Sequence, residues 1–92
     1  MSTTSPELLK VSATTKPELL AGAIASIVRN QGRAELHAVG AAAVNQAVKA
    51  VAIARGYVIS AGIEIVCVPS FVEVEIGGEE RTGIRLMVTT RG

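Results

Sequence analysis

The chain has 92 residues, of which 49% are hydrophobic, 18% charged and 2% aromatic, and nine Lys and Arg against eight acidic residues leave a formal net charge of +1. That length supports one domain with a modest aliphatic core and excludes two. The near-neutral balance excludes a strongly basic nucleic-acid-binding domain, so any anion site has to be local.

Residues 1–6, "MSTTSP", are polar and end in Pro6; residues 1–7 are expected to be a flexible tail and 8–92 a single domain. "LLKVSA" (8–13) is apolar enough for a strand, and "TTKPELL" follows as a helix start. Thr15 is the expected N-cap, Glu18 completes a capping box three residues on, and Pro17 sits in the first turn, where its missing N–H costs nothing. Leu19, Leu20, Ala23, Ile24, Ile27 and Val28 recur at helical spacing as one buried stripe, and Gly32 ends the helix. "AELHAVG" (34–40) alternates like a half-wet strand, with His37 expected at the surface. A second helix is predicted from about Ala42, carrying Val44, Val48 and Val51 inward and stopping at Gly56. "IEIVCV" (63–68) makes Cys67 a buried hydrophobe rather than a nucleophile. "FVEVEI" (71–76) sets Val72, Val74 and Ile76 on one side, as "IRLMVT" (84–89) does Ile84, Leu86 and Val88, with "GGEERTG" as the hairpin turn between them. Pro69 marks a bend or bulge within one long strand.

The order β-α-β-α-β-β predicts an α+β fold: a two-layer α/β sandwich in which a mixed four-stranded sheet carries two helices on one face. If the first β-α-β unit is a right-handed crossover, both β-to-α junctions share one edge of the sheet, and two helix N-termini meet solvent together. Lys16 stands at one junction, an unfavourable place for a cation unless an anion visits. At the other stand Gly40, which admits a close backbone approach, and then Asn45, Gln46 and Lys49 on the opening turns. By spacing alone those three are the wet side of an amphipathic helix; beside Lys16 they form an edge suited to phosphate oxygens.

Catalysis finds little support. The serines at 12, 26, 60 and 70 have no neighbouring His and no G-x-S-x-G setting, Glu73 and Glu75 alternate with valines as the solvent side of the hairpin, and no phosphate-binding loop occurs. One Cys and one His exclude a disulfide framework and a Cys/His zinc site. No enzyme activity, cofactor or metal is expected. No stretch approaches the roughly 20 apolar residues of a membrane span and no leader pattern opens the sequence, so a cytoplasmic protein with no membrane partner is expected.

"LKVSA", "GRAELHAVGAAAVNQAVKAVAIARGYV" and "GGEERTGIRLMV" closely resemble the stage V sporulation protein S family, and the similarity covers Leu8 to Val88. More distantly, the order of elements and "VSATTKP" are similar to the Alba family of archaeal chromatin proteins, dimers of a β-α-β-α-β-β domain that bind DNA and RNA. There a Lys-Pro pair opens the first helix and contacts nucleic acid, and Lys16 and Pro17 match it. The second Alba element is a basic stretch at the start of the second helix; here it is "VGAAAVNQ", leaving Asn45, Gln46 and Lys49 as the nearest polar equivalents. The third is an arginine-bearing hairpin, represented here by Arg81 after Glu79 and Glu80. The resemblance implies a small nucleic-acid-binding regulator of sporulation or a related programme, homodimeric or homotetrameric, whose contacts with DNA or RNA are weak and phosphate-directed. The alternative is a protein-interaction or scaffolding module of the same fold. The first requires Lys16, Lys49 and Arg81 to converge on one positive surface, and the second expects an apolar patch instead.

Overall fold

The computed structural model describes residues 7–91. Of the tail expected at residues 1–7, residues 1–6 lie outside the described residues, and Glu7 already opens the first strand. The elements are β1 (Glu7–Val11), α1 (Pro17–Gln31), β2 (Arg33–Ala38), α2 (Ala41–Ile59), β3 (Ile65–Ile76) and β4 (Glu79–Thr90), in the expected order. The sheet runs β1-β2-β4-β3, with β1 parallel to β2 and the other two pairs antiparallel. It is a mixed four-stranded sheet with both helices on one face, an α+β fold.

Strand alternation decides what each face carries. Ala34, Leu36 and Ala38 of β2 and Leu86 and Val88 of β4 are buried beneath the helices, while Glu35 and His37 point the other way. From α1 the core takes Leu20, Ala21, Ile24, Ala25, Ile27 and Val28. Leu19, expected inside, lies one position off that stripe and is 73% exposed. In α2 the buried positions are Ala43, Ala47, Ala50, Ala54 and Val58, an i, i+4, i+7, i+11, i+15 series. Alanines, not the expected valines, therefore meet the sheet and α1, and a stripe of such small side chains brings helix axes close to their neighbours. Val44 and Val51 flank this stripe half-buried, and Val48 is exposed. Gly56 does not stop α2, because one turn of helix past it is what seats Val58 at 0% exposure in the core; Ser60 is the C-cap.

Pro69 introduces no bulge. The β3–β4 register is one-to-one from Ile65 opposite Thr90 to Ile76 opposite Glu79. β3 is an edge strand, and alternation counted back from the two-residue turn makes Pro69–Leu86 a non-hydrogen-bonded pair, so the N–H that Pro69 lacks is one that would face the free edge. The turn is also tighter than expected, consisting of Gly77 and Gly78 at φ 60 and 83, the left-handed pair that a two-residue hairpin demands. Val72, Val74 and Ile76 do share one side, but it is the helix-free face: Pro69 opposes Leu86 on the covered face, so Ser70, Val72, Val74 and Ile76 point away from it. β2 ends at Ala38, opposite Ile84, and the remainder of the hairpin projects beyond it as a two-stranded arm. At its root a Cβ on Gly83 would lie 2.8 Å from the Ala38 carbonyl oxygen and 2.9 Å from Val39 Cγ2, so only glycine lets the arm leave along this path.

Candidate functional site

The junction between β1 and α1 is knotted by hydroxyl groups. The Ser12 backbone N–H donates to Thr15 Oγ1 at 2.8 Å and the Thr15 N–H donates to the Ser12 carbonyl at 3.1 Å. Ser12 Oγ lies 3.1 Å from Thr14 Oγ1 and 3.2 Å from Thr15 Oγ1, and accepts from the Thr14 N–H at 3.3 Å. Thr15 is therefore not the N-cap: its hydroxyl is turned back onto Ser12, and the cap position falls to Lys16 at φ −83 and ψ 118. Lys16 makes no side-chain cap bond, and Glu18 makes no capping-box return among the described residues. Pro17 opens the helix as expected.

The second junction has the same character. Gly40 is the N-cap of α2 at φ 96 and ψ 154, a left-sided conformation that a side chain would strain, and it too provides no side-chain cap. Ala41, Ala42 and Ala43 follow with nothing bulky to shield the first-turn N–H groups. Because β1 and β2 are parallel, both helix starts lie at one edge, as expected. Gln46 ties them together: its Nε2 donates to the Thr15 carbonyl at 2.9 Å. That bond explains the amide in an otherwise Ala/Val helix. Gln46 is thus half-buried and committed to the fold, while Asn45 and Lys49 remain exposed beside it, and Lys16 is exposed next to the residue it grips. The first turns of both helices thereby present unpaired N–H groups at one edge, with Lys16 at one start and Lys49 two turns into α2, neither in an ion pair among the described residues.

Arg81 does not belong to this cluster by any contact. It lies on the arm opposite Val74, on the helix-free face of the hairpin. That face carries a polar row missed by the sequence reading, in which Lys10, His37, Arg85 and Ser70 stand abreast on all four strands. His37, expected at the surface, is instead partly buried: its Nε2 lies 2.6 Å from Glu35 Oε2, with side-chain exposures of 16% and 18%. Arg85 Nε donates to Ser70 Oγ at 3.1 Å, and its guanidinium is 3.9 Å from Glu35. Period-two spacing places Glu35 with His37, but only the strand register shows that Lys10, Arg85 and Ser70 join them.

Between the arm and the ends of β1 and β2 lies a cavity of about 260 Å³, walled by Lys10, Ser12 and His37 and by Val39, Val74 and Ile76. Cys67, half-buried on the covered face, has its thiol pKa pushed up by burial, which suits the packing role expected of it.

The sequence model of the family described as Stage V sporulation protein S (SpoVS) matches residues 7–91. The chain belongs to the stage V sporulation protein S family. The match runs from the first residue of β1 to the residue after β4, so both helix starts, the polar row and the arm all fall within it. Among the described residues of this sporulation-family chain, no helix is long and apolar enough to cross a membrane and no cluster of three or more His, Cys, Asp or Glu could hold a metal ion.

Proposed function

We propose that this member of the stage V sporulation protein S family is a non-enzymatic regulatory protein that binds nucleic acid through its phosphates, at the edge where α1 and α2 begin. One observation carries this: two helix starts without side-chain caps are joined by the Gln46–Thr15 bond, with Lys16 at the first and Lys49 further along α2, one turn past Gln46. Uncapped N–H groups at a helix start accept an anion readily, and a lysine there is favoured only when that anion is present. The likeness of "VSATTKP" to the Lys-Pro opening of Alba proteins supports the same assignment for Lys16 and Pro17. Asn45 and Gly40 line the edge, and Arg81 on the arm is a separate, outlying contact.

The contacts are backbone-directed. The chain has one Tyr and one Phe. Tyr57 is near the far end of α2, and Phe71, level with the end of β2, stands two strands away from it on β3, so neither aromatic is carried by a helix start. Two lysines neutralising two phosphates give a slope of log K against log salt of about −1.8 on duplex DNA. Titrating labelled duplex DNA and single-stranded RNA at several salt concentrations checks this; absence of binding to either polymer at low salt contradicts it.

A second reading, a protein-interaction module, is favoured by Phe71 at 79% and Val68 at 58% exposure on the outer strand. In the homodimer or homotetramer we propose, such surfaces would be covered by other copies, and light scattering that gives a monomer at high protein concentration contradicts that assembly.

A further inference from the structure

We propose that the cavity beneath the arm binds a small organic carboxylate, its head on Lys10 and its short aliphatic body against Val39, Val74 and Ile76. The cavity lies beyond the carboxyl ends of the parallel pair β1 and β2, the position where open α/β sheets gather ligands. Its walls divide cleanly. Lys10 and His37 stand side by side on the helix-free face, and Val74 and Ile76 on the arm share that face. Glu75 also borders the space, but alternation sends its side chain to the opposite face from Val74 and Ile76, so it contributes backbone rather than charge.

Charge selects the ligand's sign. Lys10 has no ion-pair partner among the described residues, whereas the nearby cation Arg85 and the ring of His37 are both engaged by Glu35. The ammonium is thus the one uncommitted charge in the wall. Glu35 fixes the His37 ring by its Nε2, which makes the imidazole a preset polar wall rather than a mobile one. Size and donor count select the class. At about 260 Å³ the space falls just short of the roughly 300–1,000 Å³ of pockets for drug-sized ligands, so the occupant is smaller than a nucleotide. With Lys10 the sole Lys or Arg in the lining, the site matches a monoanionic carboxylate better than a phosphate dianion, which draws several charged donors. The aliphatic wall then sets a short carbon chain behind the head. The site adjoins the helix edge at Ser12 and Val39 but is built on Lys10 and the arm rather than on Lys16 and Lys49, and it does not depend on nucleic-acid binding.

Hexanoate, hexanol and inorganic phosphate, each titrated into the full chain labelled with nitrogen-15, test the assignment through amide shifts. Hexanoate is expected to give saturable shifts at Lys10, Ser12, Val39, Val74 and Ile76, with a Kd on the order of 1 mM, and hexanol and phosphate to bind at least about tenfold more weakly. Lys10→Gln, an exposed position whose change leaves the core intact, is expected to weaken hexanoate by about tenfold with the rest of the spectrum unmoved. No saturation by about 20 mM hexanoate, equal binding of hexanol or of phosphate, or full affinity in Lys10→Gln would each overturn the proposal.

Discussion

The two faces of this sheet are built on opposite rules. Under the helices every position is small or aliphatic, and Ala47, Ala50, Ala54, Leu36 and Val88 are all at 0% exposure. On the other face a row of Lys10, His37, Arg85 and Ser70 crosses all four strands, beside a second row in which Leu8, Met87 and Val68 flank Glu35. The covered face holds the fold by close packing, so it tolerates little change. The open face carries charge because its polar groups pair with one another, His37 with Glu35 and Arg85 with Ser70. Function therefore has to be sought at the sheet's edge and on its open side, where polar groups gather, rather than in the alanine-lined interior.

The largest expected effect sets the two faces directly against each other. Leu36→Ala, at a fully buried position, should lose about 2–5 kcal/mol in urea unfolding. Val68→Ala, on the open face at 58% exposure, should change stability by less than about 0.5 kcal/mol. Comparable losses would break the contrast and indicate that a second copy covers Val68. Next comes the arm: Gly83→Val drives a side chain into the Ala38 carbonyl and Val39, and should cost about 1–3 kcal/mol or swing the arm, which amide shifts in residues 72–83 would report. Smaller still, Gln46→Ala removes the strut between the two helix starts and should cost about 0.5–1.5 kcal/mol, with shifts confined to the Thr15 and Gly40 junctions. The smallest concerns Cys67. Burial raises its thiol pKa above 9.0, so the unfolded chain gives up that proton first, and stability should fall as pH rises past 9. Cys67→Ala should lose that slope, and alkylation of the native thiol should be slower than in urea.

The order of elements was legible because each run has one dominant period, 3.6 or 2, and because Pro17 and Gly32 punctuate α1 where helix chemistry requires them. Sidedness was less legible. Val44, Val48 and Val51 look like a buried stripe only if size is taken as the guide to burial; in α2 the close approach of sheet and α1 selects alanine, and valine is left at the flank. Val72, Val74 and Ile76 carry the same period-two signal whichever face they occupy, and only the pairing of Pro69 with Leu86 settles it. Local competition accounts for the cap: Thr15 has two partners in reach, and the Ser12 backbone takes its hydroxyl from the helix. At the candidate site, Lys16, Pro17 and Gly40 could be placed from sequence since they sit at element boundaries. The role of Gln46 could not, because its partner is 31 residues away. Arg81 joins the lysines through the likeness of its hairpin to the arginine-bearing one of Alba proteins, and the strand pairing sets it on the helix-free face of the arm, opposite Val74.

The central claim is that the paired helix starts, rather than the arm, hold phosphate. Labelled duplex DNA should be titrated at low and moderate salt with the wild type, with Lys16→Glu/Lys49→Glu and with Arg81→Glu. The account predicts salt-sensitive binding that the double variant abolishes and Arg81→Glu weakens only severalfold. Undiminished binding by the double variant, or its loss in Arg81→Glu alone, would contradict it.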